Sequence, residues 1–345
     1  METMALSLAA AWGMALLTTP LVRKLAFKVG AVDQPNHRKV HARVMPRMGG
    51  VAIYLAFAAL ALLTQGYRPE VWGLILSGGI IVATGCLDDI MEISPKVKLM
   101  GQVIAAIVLM AFGVKVSVIT NPLDGGVIFL DWWAYPVTLF WLVGISNAVN
   151  LIDGLDGLAA GTSVIGAVTM GIVAWQQDPA VAILAWLLAA ATLGFMKYNF
   201  HPASIFMGDA GSLFLGFALA ALSIMGVAKG AFVMSVFVPI LLVGVPVLDT
   251  TFAIVRRMAN GKPIFQADKA HLHHRLMALG LSHKQAVLAI YLIHAIFSLA
   301  GILVSFLPAR LGWLVLGALT LLAFMGGRWL GVIGRRGYEV HHHRH

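Results

Sequence analysis

Charge is scarce in this chain. Asp, Glu, Lys and Arg together make up only 11% of its 345 residues, against about a quarter in a soluble globular protein. Cysteine is scarcer still: Cys86 stands alone, which excludes an intramolecular disulfide. No polar stretch is long enough for a separate soluble domain; the longest cover 23–47, a segment around Asn121, and 256–284. The first apolar run, Met4 to Leu21, lacks a basic leader and a small-residue cleavage site before Arg23 and Lys24. It is therefore expected to be a retained first span and not a signal peptide. No internal repeat is evident, which counts against an inverted-repeat transporter.

What the chain does have is hydrophobicity: 60% of its residues, with a mean hydropathy of +0.88. The reading is an all-α polytopic membrane protein forming one domain over 1–345. A span needs about 20 apolar residues. Eleven candidates meet that length approximately: 4–22, 47–65, 71–87, 98–115, 133–150, 158–175, 180–197, 210–227, 232–255, 286–307 and 311–330. Between the fourth and fifth, Val116–Thr120 and Val127–Leu130 flank the turn-rich Asn121–Gly126, which predicts an external β-hairpin. Trp72, Trp132 and Trp133 read as interfacial anchors.

Numbering the connections from the first span, the odd-numbered ones and the C-terminal tail hold all but four of the 24 basic residues. The exceptions are Arg68, Lys115, Lys229 and Arg310. The positive-inside rule then places the N-terminus outside and the C-terminus in the cytoplasm. The net charge of +9 is thus topology plus an anionic ligand, and no nucleic-acid partner is expected.

The chain is organised around 144–158, where Asn147, Asn150, Asp153 and Asp156 recur every third residue. A step of three in an α-helix turns about 300°, so a straight helix would put Asn147 and Asp156 on opposite faces. Gly154 and Gly157 instead predict that the helix ends near Asp153 and that the chain turns, letting all four converge at a membrane boundary.

Carboxylates at membrane boundaries are costly and mark sites by default. Asp88, Asp89, Asp153, Asp156 and Asp209 all fall on the basic side of the parity pattern, which suits a metal and phosphate site. Asp88 and Asp89 are adjacent and repel, so burial raises one pKa unless a cation holds both ionised; a solvated helix end is the plainer reading. Asp209, in Gly208-Asp-Ala-Gly-Ser212, suits Mg2+ as a hard oxygen ligand or caps the eighth span as an ordinary N-cap.

The segment His271-Leu-His-His274 is expected to grip phosphate oxygens or move protons; zinc is weak without cysteine, and a solvated loop is the plain alternative. Asp249 is expected to have a structural role. The run 36–50, with Lys39 and Arg47, can cradle phosphate or serve topology alone. The tail His341–His345 is a metal-binding tract or an unstructured or appended end.

The Asp-Asp pair, the Asn-x-x-Asn-x-x-Asp-Gly-x-Asp-Gly segment, Gly-Asp-x-Gly-Ser and the histidine loop occur here in one order. Together they resemble the polyprenyl-phosphate N-acetylhexosamine-1-phosphate transferases, over nearly the whole chain. His-Leu-His-His resembles the N-acetylglucosamine branch of that family. The resemblance implies transfer of N-acetylglucosamine-1-phosphate from a cytoplasmic UDP-N-acetylglucosamine to undecaprenyl phosphate, with release of UMP. That is the first membrane step of a cell-envelope polysaccharide, in the bacterial inner membrane. Other UDP-N-acetylhexosamine donors stay open, a cation-coupled transporter is the rival class, and a non-catalytic scaffold ranks below both. Also implied are Mg2+, with Mn2+ as a substitute, and a homodimer. Catalytic roles go to Asp88, Asp89 and Asp156. Asp209 and Asp153 are the implied metal ligands. Asn147, Asn150, Asp153, His271, His273, His274, Lys39 and Arg47 are the implied substrate-binding residues.

Overall fold

The computed structural model describes residues 2–34, 44–120, 126–227, 244–259, 272–307 and 309–329. The chain is mostly helical: α1 (Glu2–Val29), α2 (Gly50–Gln65), α3 (Pro69–Met91), α4 (Pro95–Ala111), α5 (Ala134–Ile152) and α6 (Leu158–Ala174). There follow α7 (Pro179–Asn199), α8 (Gly208–Val227), α9 (Gly244–Ala259), α10 (Leu272–Ala278), α11 (His283–Ser305) and α12 (Ala309–Trp329). Among the described residues, six helices are long and apolar enough to cross a membrane, and α2 and α6 are shorter apolar helices. The six include α1, α3, α7, α8, α11 and the stretch Asp131–Ile152 that contains α5. The ninth expected span, 232–255, lies partly outside the described residues.

Local chemistry explains several starts. Ser94 accepts from the Val97 amide, with Pro95 as the first residue of α4, and Asp178 with Pro179 does the same for α7. Ser282 and Gln285 form a reciprocal capping box at α11. Strands β1 (Val32–Asp33) and β2 (Met45–Pro46) pair antiparallel. So do β3 (Val118–Thr120) and β4 (Val127–Phe129), in register Ile119 to Ile128, giving the pairing expected of the hairpin.

The core centres on α8, which is buried along almost its whole length against α2, α3, α5, α6 and α7. Small residues let backbones approach there, as they do in membrane bundles. A Cβ on Gly85 of α3 would run into the backbone of Asp209 and Ala210, so the start of α8 nests directly on α3.

The bundle has two chemically different ends. One end gathers the C-termini of α3, α5 and α7 with the N-termini of α8 and α11 and the β1–β2 pair. Away from it, Arg68 before α3 makes a bidentate pair with Asp178 before α7, Nη1–Oδ1 and Nη2–Oδ2 both at 2.9 Å. Both residues lie on the connections that the sequence marks as poor in Lys and Arg. The pair is largely shielded, with side-chain exposures of 14% and 10%. Asp178→Ala should therefore lower unfolding stability by about 2–3 kcal/mol. A double-mutant cycle with Arg68→Ala, read as thermal midpoints in detergent, should attribute most of that loss to coupling of the two side chains.

Candidate active site

Asp89, near the C-terminal end of α3, is 5% exposed. Its carboxylate accepts the Asp209 amide on Oδ1 at 2.9 Å and the Ala210 amide on Oδ2 at 3.1 Å. It thus caps α8 from another helix, satisfying two orphan N–H groups and complementing the helix N-terminus. Gly208 is the joint: its φ is +71°, and a Cβ there would press onto the Asp89 carboxylate. Asp209 is consequently not the N-cap of its own helix. Its side chain is released toward the site.

The Asp209 carboxylate is held from two sides. Lys98 Nζ, from the first turn of α4, pairs with Oδ2 and also with Asp88 Oδ2, the latter at 3.0 Å. Asn150 Nδ2 donates to Asp209 Oδ1 at 3.0 Å and to Ser212 Oγ at 2.8 Å. One ammonium therefore bridges two carboxylates that stand 121 residues apart in the chain. Lys98 enters the sequence reading only as a topological charge; nothing near it in the chain announces this role.

Helix α5 ends at Ile152 with Asp153 as its C-cap residue, as the glycine pattern predicts. Gly157 sits at φ +78° and its amide donates to Asn199 Oδ1 at 3.2 Å. Asn150, Asp153 and Asp156 then face one cavity. Asn147 does not join them, which departs from the expected four-way convergence. It pairs instead with Gln102 of α4, deeper in the bundle. The geometric reason is α5 itself, which stays helical past Asn147 and so keeps it a turn behind the chain reversal.

Asp156 is clamped rather than free. His201 Nδ1 lies 2.9 Å from its Oδ2, and the Ala203 amide donates to the same oxygen at 3.0 Å. Its own amide donates to His283 Nε2 at 3.0 Å, and the two imidazoles stack with centroids 4.3 Å apart. The sequence reading misses His201 and His283 because each is a lone histidine far from the motif. The three side chains form a mixed N,N,O donor set within 4.8 Å, but the nitrogens aimed at Asp156 are already hydrogen-bonded, so the cluster acts as a clamp.

In the histidine loop, His271 lies outside the described residues, as does Lys39. His273 is 3% exposed and packs against Gly154, where a Cβ would meet its ring. His274 touches the His273 ring, with centroids 4.2 Å apart, and lines the cavity. Asp249 is buried and accepts the Leu272 amide at 2.9 Å, the structural role expected of it. Arg47 lines the cavity with its guanidinium on Asp33 Oδ1 at 2.7 Å. Its segment runs beside the start of α8 through bonds from the Phe206 amide to Pro46 and from the Gly50 amide to Met207.

The cavity encloses about 650 Å3 and is lined by Asp89, Asn150, Asp153, Asp156, Asp209 and His274, among others. Asp88 stands beside it on Lys98. Among the described residues nothing donates a hydrogen bond to the Asp153 carboxylate. Burial, with the carboxylates of Asp209, Asp89 and Asp156 nearby, pushes its pKa up to about 8. A cation placed among these groups would favour the ionised form instead. Mg2+ takes oxygen ligands and commonly uses one or two carboxylates plus waters and phosphates. Asp153 and Asp209 offer carboxylate oxygens of that kind on one cavity wall.

Long apolar helices enclosing carboxylates, a lysine and imidazoles at one end define an integral membrane protein with a charged, polar cavity. Residues 71–227 match the model of glycosyl transferase family 4. The chain is 49% identical over 292 residues to the probable undecaprenyl-phosphate N-acetylglucosaminyl 1-phosphate transferase of Bacillus subtilis (strain 168), spanning 84% of this chain and 82% of that protein. It is 41% identical to the decaprenyl-phosphate N-acetylglucosaminephosphotransferase of Mycolicibacterium smegmatis, over 79% and 75% of the two chains. To the undecaprenyl-phosphate alpha-N-acetylglucosaminyl 1-phosphate transferase of Escherichia coli (strain K12) it is 31% identical, over 88% and 84%. The chain belongs to glycosyl transferase family 4, among the polyprenyl-phosphate sugar-1-phosphate transferases that its motifs resemble.

Proposed function

We propose that this chain transfers N-acetylglucosamine-1-phosphate from UDP-N-acetylglucosamine to undecaprenyl or a related polyprenyl phosphate, releasing UMP. The observation that carries the reading is the meeting of Asp153, Asp156 and Asp209, from the turn after α5 and the start of α8, around one cavity at one end of a membrane bundle, with Asp88 of α3 and Lys98 of α4 beside it. A relay for ion transport would place its acids near the middle of broken spans; these lie at helix ends. Arg47 and Lys98, from two of the basic connections, stand at the same end, which supports a cavity open to the cytoplasm of a bacterial inner membrane, with the N-terminus and the β3–β4 pair outside.

In the reaction an oxygen of the acceptor phosphate attacks the β-phosphorus of the donor. The bond from that phosphorus to the bridging oxygen breaks, and UMP leaves with the oxygen. Such transfer depends on positioning and charge stabilisation. The second pKa of a phosphate monoester is about 6, so little proton removal is needed near neutral pH. Asp88 accordingly orients Lys98 and the acceptor more than it serves as a base. Lys98 and Arg47 supply positive charge and His274 a donor for phosphate and sugar, with buried His273 packed against His274; Lys39 and His271 are assigned to the same task. Asp156 holds the nucleotide side of the cavity in shape through His201 and His283. Asp153 and Asp209 would hold Mg2+, which when bound neutralises diphosphate charge.

The test is a donor panel scored by UMP release from purified protein with polyprenyl phosphate. UDP-N-acetylglucosamine should be the best donor, a chelator should abolish release, and Mg2+ or, less well, Mn2+ should restore it. UMP release that ignores the chelator or the lipid acceptor would overturn the reading.

A further inference from the structure

Asp209 is held from two helices at once, by Lys98 of α4 on one oxygen and Asn150 of α5 on the other. One turn deeper on each of those helices lies an amide. Gln102 is four residues beyond Lys98 and Asn147 three before Asn150, so each shares a face with the residue above it. The two amides meet reciprocally: Asn147 Nδ2 donates to Gln102 Oε1 at 2.7 Å and Gln102 Nε2 donates to Asn147 Oδ1 at 3.3 Å. Asn147 Nδ2 also donates to the Val143 carbonyl at 2.8 Å, which fixes its rotamer. The contacts close a ring: Lys98, Asp209, Asn150, one turn of α5, Asn147, Gln102, and one turn of α4 back to Lys98.

Gln102 is 1% exposed, and neither amide lines the cavity. A buried polar side chain in an apolar bundle costs free energy unless it is paired, so two of them facing each other are satisfied only at one helix register. The Lys98 ammonium reaches both Asp88 and Asp209 from the first turn of α4, so the position of that helix sets whether one stem can span the two. We infer that Gln102 is a positioning residue, which through Asn147 sets the register of α4 on α5 and so places the Lys98 ammonium between Asp88 and Asp209. Asn147 then acts through Gln102 and not by touching substrate. The inference rests on the reaction proposed above.

The experiment uses full-length protein, with wild type assayed in parallel. Gln102→Leu should lower kcat for UMP release about ten- to a hundredfold, with KM for the UDP-sugar changed little. The reciprocal swap, Gln102→Asn with Asn147→Gln, keeps the amide pair and should recover most of the loss. Combined with Lys98→Met, Gln102→Leu should add nothing, because both act through one ammonium. Wild-type kcat in Gln102→Leu, multiplying losses with Lys98→Met, or a swap no better than the single variant would each overturn the inference. If Gln102→Leu does not fold, the swap decides alone: turnover near wild type supports register, and failure with a normal melt overturns it. Absence of UMP release from wild type would instead sink the reaction assignment.

Discussion

Asp209→Asn should reduce UMP release by about a thousandfold or more, with a melting temperature close to wild type. The amide keeps the shape of the side chain and can still accept from Asn150. It removes the negative charge that faces the Lys98 ammonium and the carboxylate oxygen best suited to a divalent cation. The start of α8 is untouched, because its cap is Asp89. Loss of turnover without loss of fold is therefore the signature expected, measured as initial rates beside a thermal melt. Turnover within tenfold of wild type would remove Asp209 from the chemistry.

Asp89→Asn should behave differently, losing both. Two backbone N–H groups point at the two carboxylate oxygens, and an amide has one oxygen to offer; its NH2 would face an N–H. The side chain is only 5% exposed, so solvent compensates little for the mismatch. A loss of about 1–3 kcal/mol of stability follows, together with about a hundredfold in turnover as Asp209 shifts. Asp88→Asn is the comparison: it pairs with Lys98, caps no helix start, and should lower turnover with little change in melting. Adjacent carboxylates, equal in sequence, would thus separate into a structural cap and a site residue. Equal melting temperatures for the two variants would contradict that division.

The residues that sequence made legible share a cause: their signal is local. The end of α5 at Asp153 follows from two glycines within four residues, and the β3–β4 pairing follows from β-prone runs around a turn. The gathering of five carboxylates on one side was readable because helix parity and basic connections report the same boundary. What was not legible is pairing across the chain. His201 and His283 meet Asp156 over separations of 45 and 127 residues, and Lys98 meets Asp209 over 111. Gln102 is a single amide in an apolar helix, with no periodic partner to mark it. Helices α2 and α6 run only 16 and 17 residues, short of the length that marks a span by composition. Counting apolar runs therefore sees more spans than helix length alone supports among the described residues.

The account depends on a nucleotide-sugar cavity at one end of the bundle, and labelling from each side of the membrane tests it directly. In a Cys86→Ala background the chain has no other cysteine. Ala203→Cys places a thiol at the cavity, and Tyr67→Cys places one on a 78% exposed position next to Arg68. A membrane-impermeant maleimide should modify Ala203→Cys only from the cytoplasmic face, and more slowly when UDP-N-acetylglucosamine and Mg2+ are present. Tyr67→Cys should react only from outside, at a rate the nucleotide sugar leaves unchanged. Labelling of both positions from one face, or no protection at Ala203→Cys, would contradict the account.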